Sequence, residues 1–273
     1  MNYETILYQV SERIAVITLN RPERLNAWTP EMGSELVDAM ERASRDKLVR
    51  VIILTGEGKG FCAGMDVKNL SKTNENRNRN RRTELSSDVP VASNRDDFKG
   101  LFNYFPSIGK PVVAAINGPV AGSGLVLALS CDIRIASEDA FLTSSFARMG
   151  LVAEHGIAWL LTHLSSLSHA LDLLLSGRKV YAREAHAMGI VNFVCPSGEA
   201  LKEAKKYAQE IAENCSPSSL SIIKRQVWDT AFEGLEESTN AANDEMLRSF
   251  EGLDFKESIA AKAQSRKPVF NDI

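Results

Sequence analysis

Residues 110–137 read KPVVAAINGPVAGSGLVLALSCDIRIAS. Within them 112–116 (VVAAI) is an unbroken apolar run of strand length, and Gly118-Pro119 turns the chain behind it. The apolar stretch at about 123–130 predicts a helix, and 132–136 (DIRIA) predicts a returning strand. Strands that stay apolar at consecutive positions are buried on both faces, as in parallel sheets. A parallel pair joined through a helix makes the fold class α/β.

The flanks repeat that grammar. Residues 14–19 (IAVITL) read as a strand ended by Asn20-Arg21-Pro22. Thr29-Pro30 then opens an amphipathic helix to about Ser44, with Met32, Leu36, Val37, Met40 and Ala43 at helical spacing. Residues 49–55 are a second apolar strand, followed by a loop marked by Gly56, Gly58, Gly60 and Gly64. The polar stretch 71–95, with NENRNRNRR at 74–82, lacks a periodic apolar face. It predicts a mobile insertion whose residues 73–83 are dispensable for folding. A helix is expected near 96–105 and a short strand near 141–143. Beyond 156 helices dominate, at 156–164, 169–176, 182–188, 198–214, 217–232 and 235–250, with VNFV (191–194) the one strand. The expected organisation is an α/β core over 1–197 and a helical module over 198–273.

Composition narrows the function classes. The chain has 273 residues, 32 Lys+Arg against 35 Asp+Glu, a net charge of −3 and 44% hydrophobic residues. Near-neutral charge argues against a dedicated nucleic-acid binder, and no run of about 18 apolar residues predicts a membrane span. MNYETILYQV lacks the basic start of a signal peptide, and the final Asn-Asp-Ile is no peroxisomal address. Cys62, Cys131, Cys195 and Cys215 form no C-x-x-C pair, so four reduced thiols in a cytoplasmic protein are expected. His155 and His163 lie eight residues apart without an H-E-x-x-H pattern, so no metal site is expected.

Several motifs fail on spacing. Gly56-x-Gly58-x-Gly60 is not a dinucleotide fingerprint. Residues 118–124 (GPVAGSG) are followed by Leu125 and Val126 rather than Lys-Ser/Thr, which excludes a Walker loop, and Ser123 lies outside a G-x-S-x-G elbow. Two Gly-rich segments survive, each behind a buried strand: 61–66 (FCAGMD) and 120–124 (VAGSG). Small residues let a ligand approach the backbone, and free N–H groups at a helix start favour negative charge. Two such donors converging on one oxygen form an oxyanion hole. Two tight turns made only for packing would read the same way.

At these residues the chain resembles the enoyl-CoA hydratase/isomerase (crotonase) superfamily. The resemblance runs through ITLNRPERLNAW (17–28), VRVIILTGEGKGFCAGMDVKNL (49–70), residues 110–137, RMGLVAEHGIAWLL (148–161), SGRKVYAREAHAMGIVNFV (176–194) and RKPVF (266–270), in the family's order. It implies a spiral core of repeated ββα turns, assembled as a homotrimer or hexamer through the C-terminal helices. It also implies an acyl-CoA thioester as substrate, with CoA carried by the substrate and no separate cofactor. The oxyanion N–H groups then fall on Met65 and on Ser123, beside Gly122, where family members usually have Gly. Arg24, Ala63, Asp66 and Val67 fall where the family cradles the CoA phosphates and adenine, and Lys267 adds a cation, often from a neighbouring subunit.

The departure from the hydratase pattern is informative. The places of the two hydratase glutamates hold Val126 and Phe146. Glu154 remains, at a place where double-bond-shifting members carry an acid. Glu154 could alternatively cap the helix that follows. Val126, Phe146 and Trp159 are expected to wall its pocket, and His155 either orients it or packs. The reading that results is an enoyl-CoA isomerase with one acid. Hydration, ring hydrolysis and C–C cleavage are the other reactions; the other classes are an RNA-binding member, resting on Arg77, Arg79, Arg81 and Arg82, and a non-catalytic structural member of a larger complex. Leu220, Ile222, Ile223, Val227 and Trp228 are expected to face a neighbouring subunit.

Overall fold

Residues 3–66 and 95–271 are described by the structure, a computed structural model. The strands are β1 (Ile6–Ser11), β2 (Ile14–Leu19), β3 (Val51–Gly56), β4 (Val112–Ile116), β5 (Val120–Ala121), β6 (Ile133–Ser137), β7 (Phe141–Thr143), β8 (Val180–Tyr181) and β9 (Phe193–Cys195). The helices are α1 (Pro30–Arg45), α2 (Ser123–Ser130), α3 (Ile157–Leu164), α4 (Leu167–Ser176), α5 (Ala182–Ala187), α6 (Ala200–Asn214), α7 (Pro217–Asp229), α8 (Leu235–Glu251) and α9 (Leu253–Ala263). None of the described helices is long and apolar enough to cross a membrane.

Six strands form one sheet in the order β1-β2-β3-β4-β6-β9, parallel except for the antiparallel β1–β2 pair. That pair closes through Glu12 and Arg13, both at positive φ, the conformation a two-residue hairpin turn demands. A second, smaller ladder runs beside it. Trp28 bridges Met65, Cys62 bridges Val120, and β5 pairs β7, which pairs β8. The chain therefore lays one strand in each ladder and then a helix, turn after turn. This is the ββα spiral that the resemblance implies.

Alternation divides the large sheet between two apolar layers. Ile14, Val16, Val51, Ile53, Val113, Ala115 and Ile135 face α6 through Ala200, Ala204, Ala208 and Ala212. The opposite side chains, such as Ile17, Leu19, Ile52, Leu54 and Ala114, enter the main core with α1 and α2. Alanine at every fourth position of α6 removes side-chain bulk, so that helix seats against the sheet along its length. At the start of β3, buried Arg50 donates to the carbonyls of Ala212 (2.8 Å) and Phe270 (2.6 Å), fastening α6 and the C-terminal tail.

Several expectations need correction. The helix expected at 96–105 is instead two 3-10 turns, Asp96–Phe98 and Phe105–Ser107, because Gly100 and Pro106 interrupt it and its aromatic side chains bury at separate points. β1 was not expected, since only Ile6 of it is buried and it lies on the sheet edge. The additional helix α9 buries only Ala261 and shows little apolar periodicity. Trp228 packs inside its own chain and donates from Nε1 to Asp132 at 3.0 Å, whereas Ile223 and Val227 are exposed. The basic insertion lies outside the described residues except for Arg95.

Candidate active site

In open parallel sheets ligands bind beyond the carboxyl ends of the strands. Here β2, β3 and β4 run out into the loops 20–28, 57–66 and 117–122. Two asparagines tie these loops together. Asn26, fully buried, accepts from the Arg21 N–H and donates to the Glu57 and Gly60 carbonyls at 3.0 and 2.8 Å. Asn117 accepts from the Gly56 N–H and donates to the Gly58 carbonyl at 3.0 Å. Asn26 itself sits at φ +55°, which asparagine tolerates better than most residues.

The two Gly-rich segments meet directly. The Ala121 N–H donates to the Cys62 carbonyl at 3.0 Å, and the Trp28 N–H donates to the Gly64 carbonyl at 2.7 Å. A Cβ on Gly124 would lie 2.3 Å from the Cys62 carbonyl oxygen, so only glycine allows α2 this close. Gly122 precedes α2 at φ +52°, ψ −122°, a conformation reserved for glycine, and turns the helix start outward. The Leu125 and Val126 N–H groups fold back on the Gly122 carbonyl. The N–H groups of Met65 and Ser123 donate to no other described residue. Each follows the turn glycine of its loop, and the helix start adds its own positive end. This pair of donors is suited to an oxygen carrying developing negative charge.

A line of rings runs from this place to the segment that carries Glu154. Trp28, bridged to Met65, packs on Phe102 with centroids 4.7 Å apart, and Phe102 packs on His155 at 4.6 Å. His155 Nε2 lies 3.7 Å from Glu154 Oε2. Burial holds the His155 ring below its ordinary pKa, favouring the neutral imidazole. Gly156 stands at the cap position of α3 without a side-chain bond, and the Glu154 carbonyl accepts from the Ile157 N–H. Val126 and Phe146 are buried in the apolar core that Met65 also touches.

The chain resembles known proteins over nearly its whole length. Residues 9–273 match the family model described as enoyl-CoA hydratase/isomerase. A Thermus thermophilus protein named as an enoyl-CoA hydratase is 38% identical over 257 residues, spanning 94% of this chain and 97% of that protein. The 1,2-epoxyphenylacetyl-CoA isomerase of Escherichia coli is 30% identical over 269 residues, 98% of each chain. A crystal structure of an enoyl-CoA hydratase from Bacillus anthracis superposes with a TM-score of 0.88 at 26% identity, over 99% of this chain and 100% of that one. The chain belongs to the enoyl-CoA hydratase/isomerase family.

For a member of that family, the remaining expected residues separate. Ala63 is half-buried, with its N–H on the Leu25 carbonyl, and Arg24 is exposed at the end of the 3-10 turn Pro22–Arg24. Asp66 is buried and ion-paired with Arg21 at 2.9 Å, while Arg21 also donates to the Ala27 carbonyl. Val67 lies outside the described residues. Lys267 is not brought to this group in the single chain. It pairs with Glu213 at 3.4 Å, beside the tail that Arg50 fastens at the opposite end of β3. Arg21, Asn26 and Phe102 were not singled out by sequence reasoning. Arg21 and Asn26 lie within the NRPERLNAW stretch, and their role rests on partners some thirty to forty-five positions away.

A second concavity opens beside the start of α3. It has a volume of about 160 Å³ and is lined by Phe98, Trp159, Trp228 and Phe232, with Gly156 and Ser130 at its inner side. Trp159, expected beside Val126 and Phe146, faces this concavity and lies nearly parallel to both Trp228 and Phe232.

Proposed function

We propose that this enzyme shifts a double bond within an acyl-CoA thioester through an enolate. What supports the reading is one juxtaposition. Two N–H groups without an acceptor among the described residues, on Met65 and Ser123, stand where two loops meet, and the segment carrying Glu154 packs toward them through His155, Phe102 and Trp28. The thioester oxygen accepts from both N–H groups. Glu154 as carboxylate takes a proton from the carbon next to the thioester of a 3-enoyl ester. The electron pair of that C–H bond passes into the thioester, forming a dienolate whose negative oxygen the two donors stabilise. Glu154, now a carboxylic acid, returns the proton at the far end of the conjugated system. The net change is the position of one double bond, with mass and oxidation state preserved.

Val126 and Phe146 offer no carboxyl that could hold a water molecule, and their apolar surroundings keep the enolate away from solvent. Arg24 supplies an exposed cation for the CoA phosphates, and Arg21 holds Asp66 beside the loop that receives them. Lys267 joins from a neighbouring subunit of a homotrimer or hexamer. CoA travels with the substrate, so the chemistry asks for no separate cofactor. Hydration is the second reading, favoured by several relatives named as enoyl-CoA hydratases. The two separate on incubation with 2-enoyl- and 3-enoyl-CoA esters, followed by mass spectrometry and ultraviolet spectra. An altered spectrum at constant mass is the expected result. A gain of one water establishes hydration, and inertness toward every ester overturns both readings.

A further inference from the structure

The aromatic concavity beside Glu154 belongs neither to the oxyanion donors nor to the CoA-facing loops. We propose that it receives a single six-membered ring at the end of the acyl group, so that the substrate class is an aryl-bearing acyl-CoA. The proposal rests on the acyl-CoA reading above and names the substrate within it.

Position makes the first argument. α2 begins at Ser123, whose N–H faces the oxyanion, and ends at Ser130, which lines the cavity. Seven helical rises separate the two, about 10 Å. Gly156, two residues from Glu154, lines the same cavity. An acyl group that places its end in the cavity therefore spans about 10 Å from the thioester.

Size makes the second. The volume of about 160 Å³ compares with the apolar cavity of about 150 Å³ that holds one benzene molecule. Its walls are suited to a ring. Phe98 stands edge-on to Trp228 and to Phe232, and Trp159 lies nearly parallel to both. Faces and edges are thus offered together, and aromatic pairs prefer edge-to-face or offset contact.

The third argument is closure. The Arg95 guanidinium lies 4.3 Å from the Phe232 ring centre and approaches Asp97, Asp229 and Glu233 at 3.6, 3.7 and 3.9 Å. An alkyl chain running beyond ring length would meet this ionic group and strip its water. Ser130 donates its hydroxyl to the Val126 carbonyl at 2.9 Å and so demands nothing of the ligand. A ring rests short of these charges, and a longer chain leaving on that side meets them.

The test measures binding of three saturated esters, butanoyl-CoA, 4-phenylbutanoyl-CoA and hexadecanoyl-CoA, to the intact protein by calorimetry. Burial of a phenyl group predicts that 4-phenylbutanoyl-CoA binds about ten- to a hundredfold tighter than butanoyl-CoA. Hexadecanoyl-CoA should gain no such advantage. Leu160→Phe, which grows into the cavity, should bring the phenylbutanoyl-to-butanoyl affinity ratio to within about threefold of unity. If that variant fails to fold, the wild-type ratio decides alone. Binding of butanoyl-CoA without preference for the phenyl ester overturns the ring assignment and leaves the thioester reading standing. Equal gain by hexadecanoyl-CoA also overturns it. Failure of all three esters to bind overturns the thioester reading itself.

Discussion

Glu154 is a carboxylate at the mouth of a helix, where the ordinary explanation is a cap. The cap position of α3 is taken by Gly156 without a side-chain bond. Glu154→Gln keeps the shape and removes the base. Turnover of an enoyl-CoA ester is expected to fall by about 10²–10⁴, the usual share of a general acid–base group, with ester affinity nearly unchanged. Steady-state kinetics beside a binding isotherm would check this, and activity within a few-fold of wild type would contradict the role. Ser123 poses the opposite case. Its hydroxyl is buried without a hydrogen-bond partner among the described residues, while its backbone N–H carries the proposed chemistry. Ser123→Ala keeps that N–H and removes the unpaired hydroxyl. We expect it to raise the unfolding free energy by about 1 kcal/mol, read from urea denaturation, because a stranded buried hydroxyl costs that order.

Elements in this protein are held in place largely by short loops pinned across the carboxyl ends of the strands. Asn26 fixes the 20–28 loop to the 57–60 turn through two hydrogen bonds, one of them wholly buried, and accepts a third within its own loop. Asn26→Ala removes all three and is expected to cost about 2–4 kcal/mol, seen as a lowered urea midpoint. The segment before α3 has its own signature. His155 is packed on Phe102 with its pKa lowered by burial, despite the Glu154 carboxylate nearby. The unfolded chain takes up a proton near pH 6.5, and the folded chain does so only at lower pH. The His155 contribution is thus intact above about pH 6.5 and is lost as pH falls below that value. Urea titrations at pH 7.5 and 5.5 should show that loss, and His155→Asn should reduce it. The strands and helices of the core were legible because apolar periodicity marks them directly. β1 and α9 were not, since an edge strand and a nearly unburied helix leave little pattern. The aromatic cavity was equally hidden, because Phe98, Trp159 and Phe232 belong to three separate segments that only the packing assembles.

As a whole molecule the chain leaves much apolar surface uncovered. Ile223 and Val227 on α7, Leu235 and Leu247 on α8, and Leu253 and Ile259 on α9 are exposed, as are Leu167, Leu171 and Leu175 along α4. Surfaces of this kind mark contact with another chain. Light scattering at micromolar concentration is expected to give a multiple of the 30.0 kDa chain mass, and a monodisperse species at 30.0 kDa would contradict it. α2 carries a different consequence. One short helix starts at the proposed oxyanion donor and ends at the ring cavity, with Gly124 allowing no slack against Cys62. A lineage that altered its acyl preference by remodelling the end of α2 would drag the donor with it and forfeit rate. The uncoupled route runs through α7 and the turn at Phe98, which wall the cavity without touching the glycine loops. Divergence in specificity is therefore channelled onto the C-terminal half of the cavity, while α2 stays frozen as the strut between recognition and chemistry.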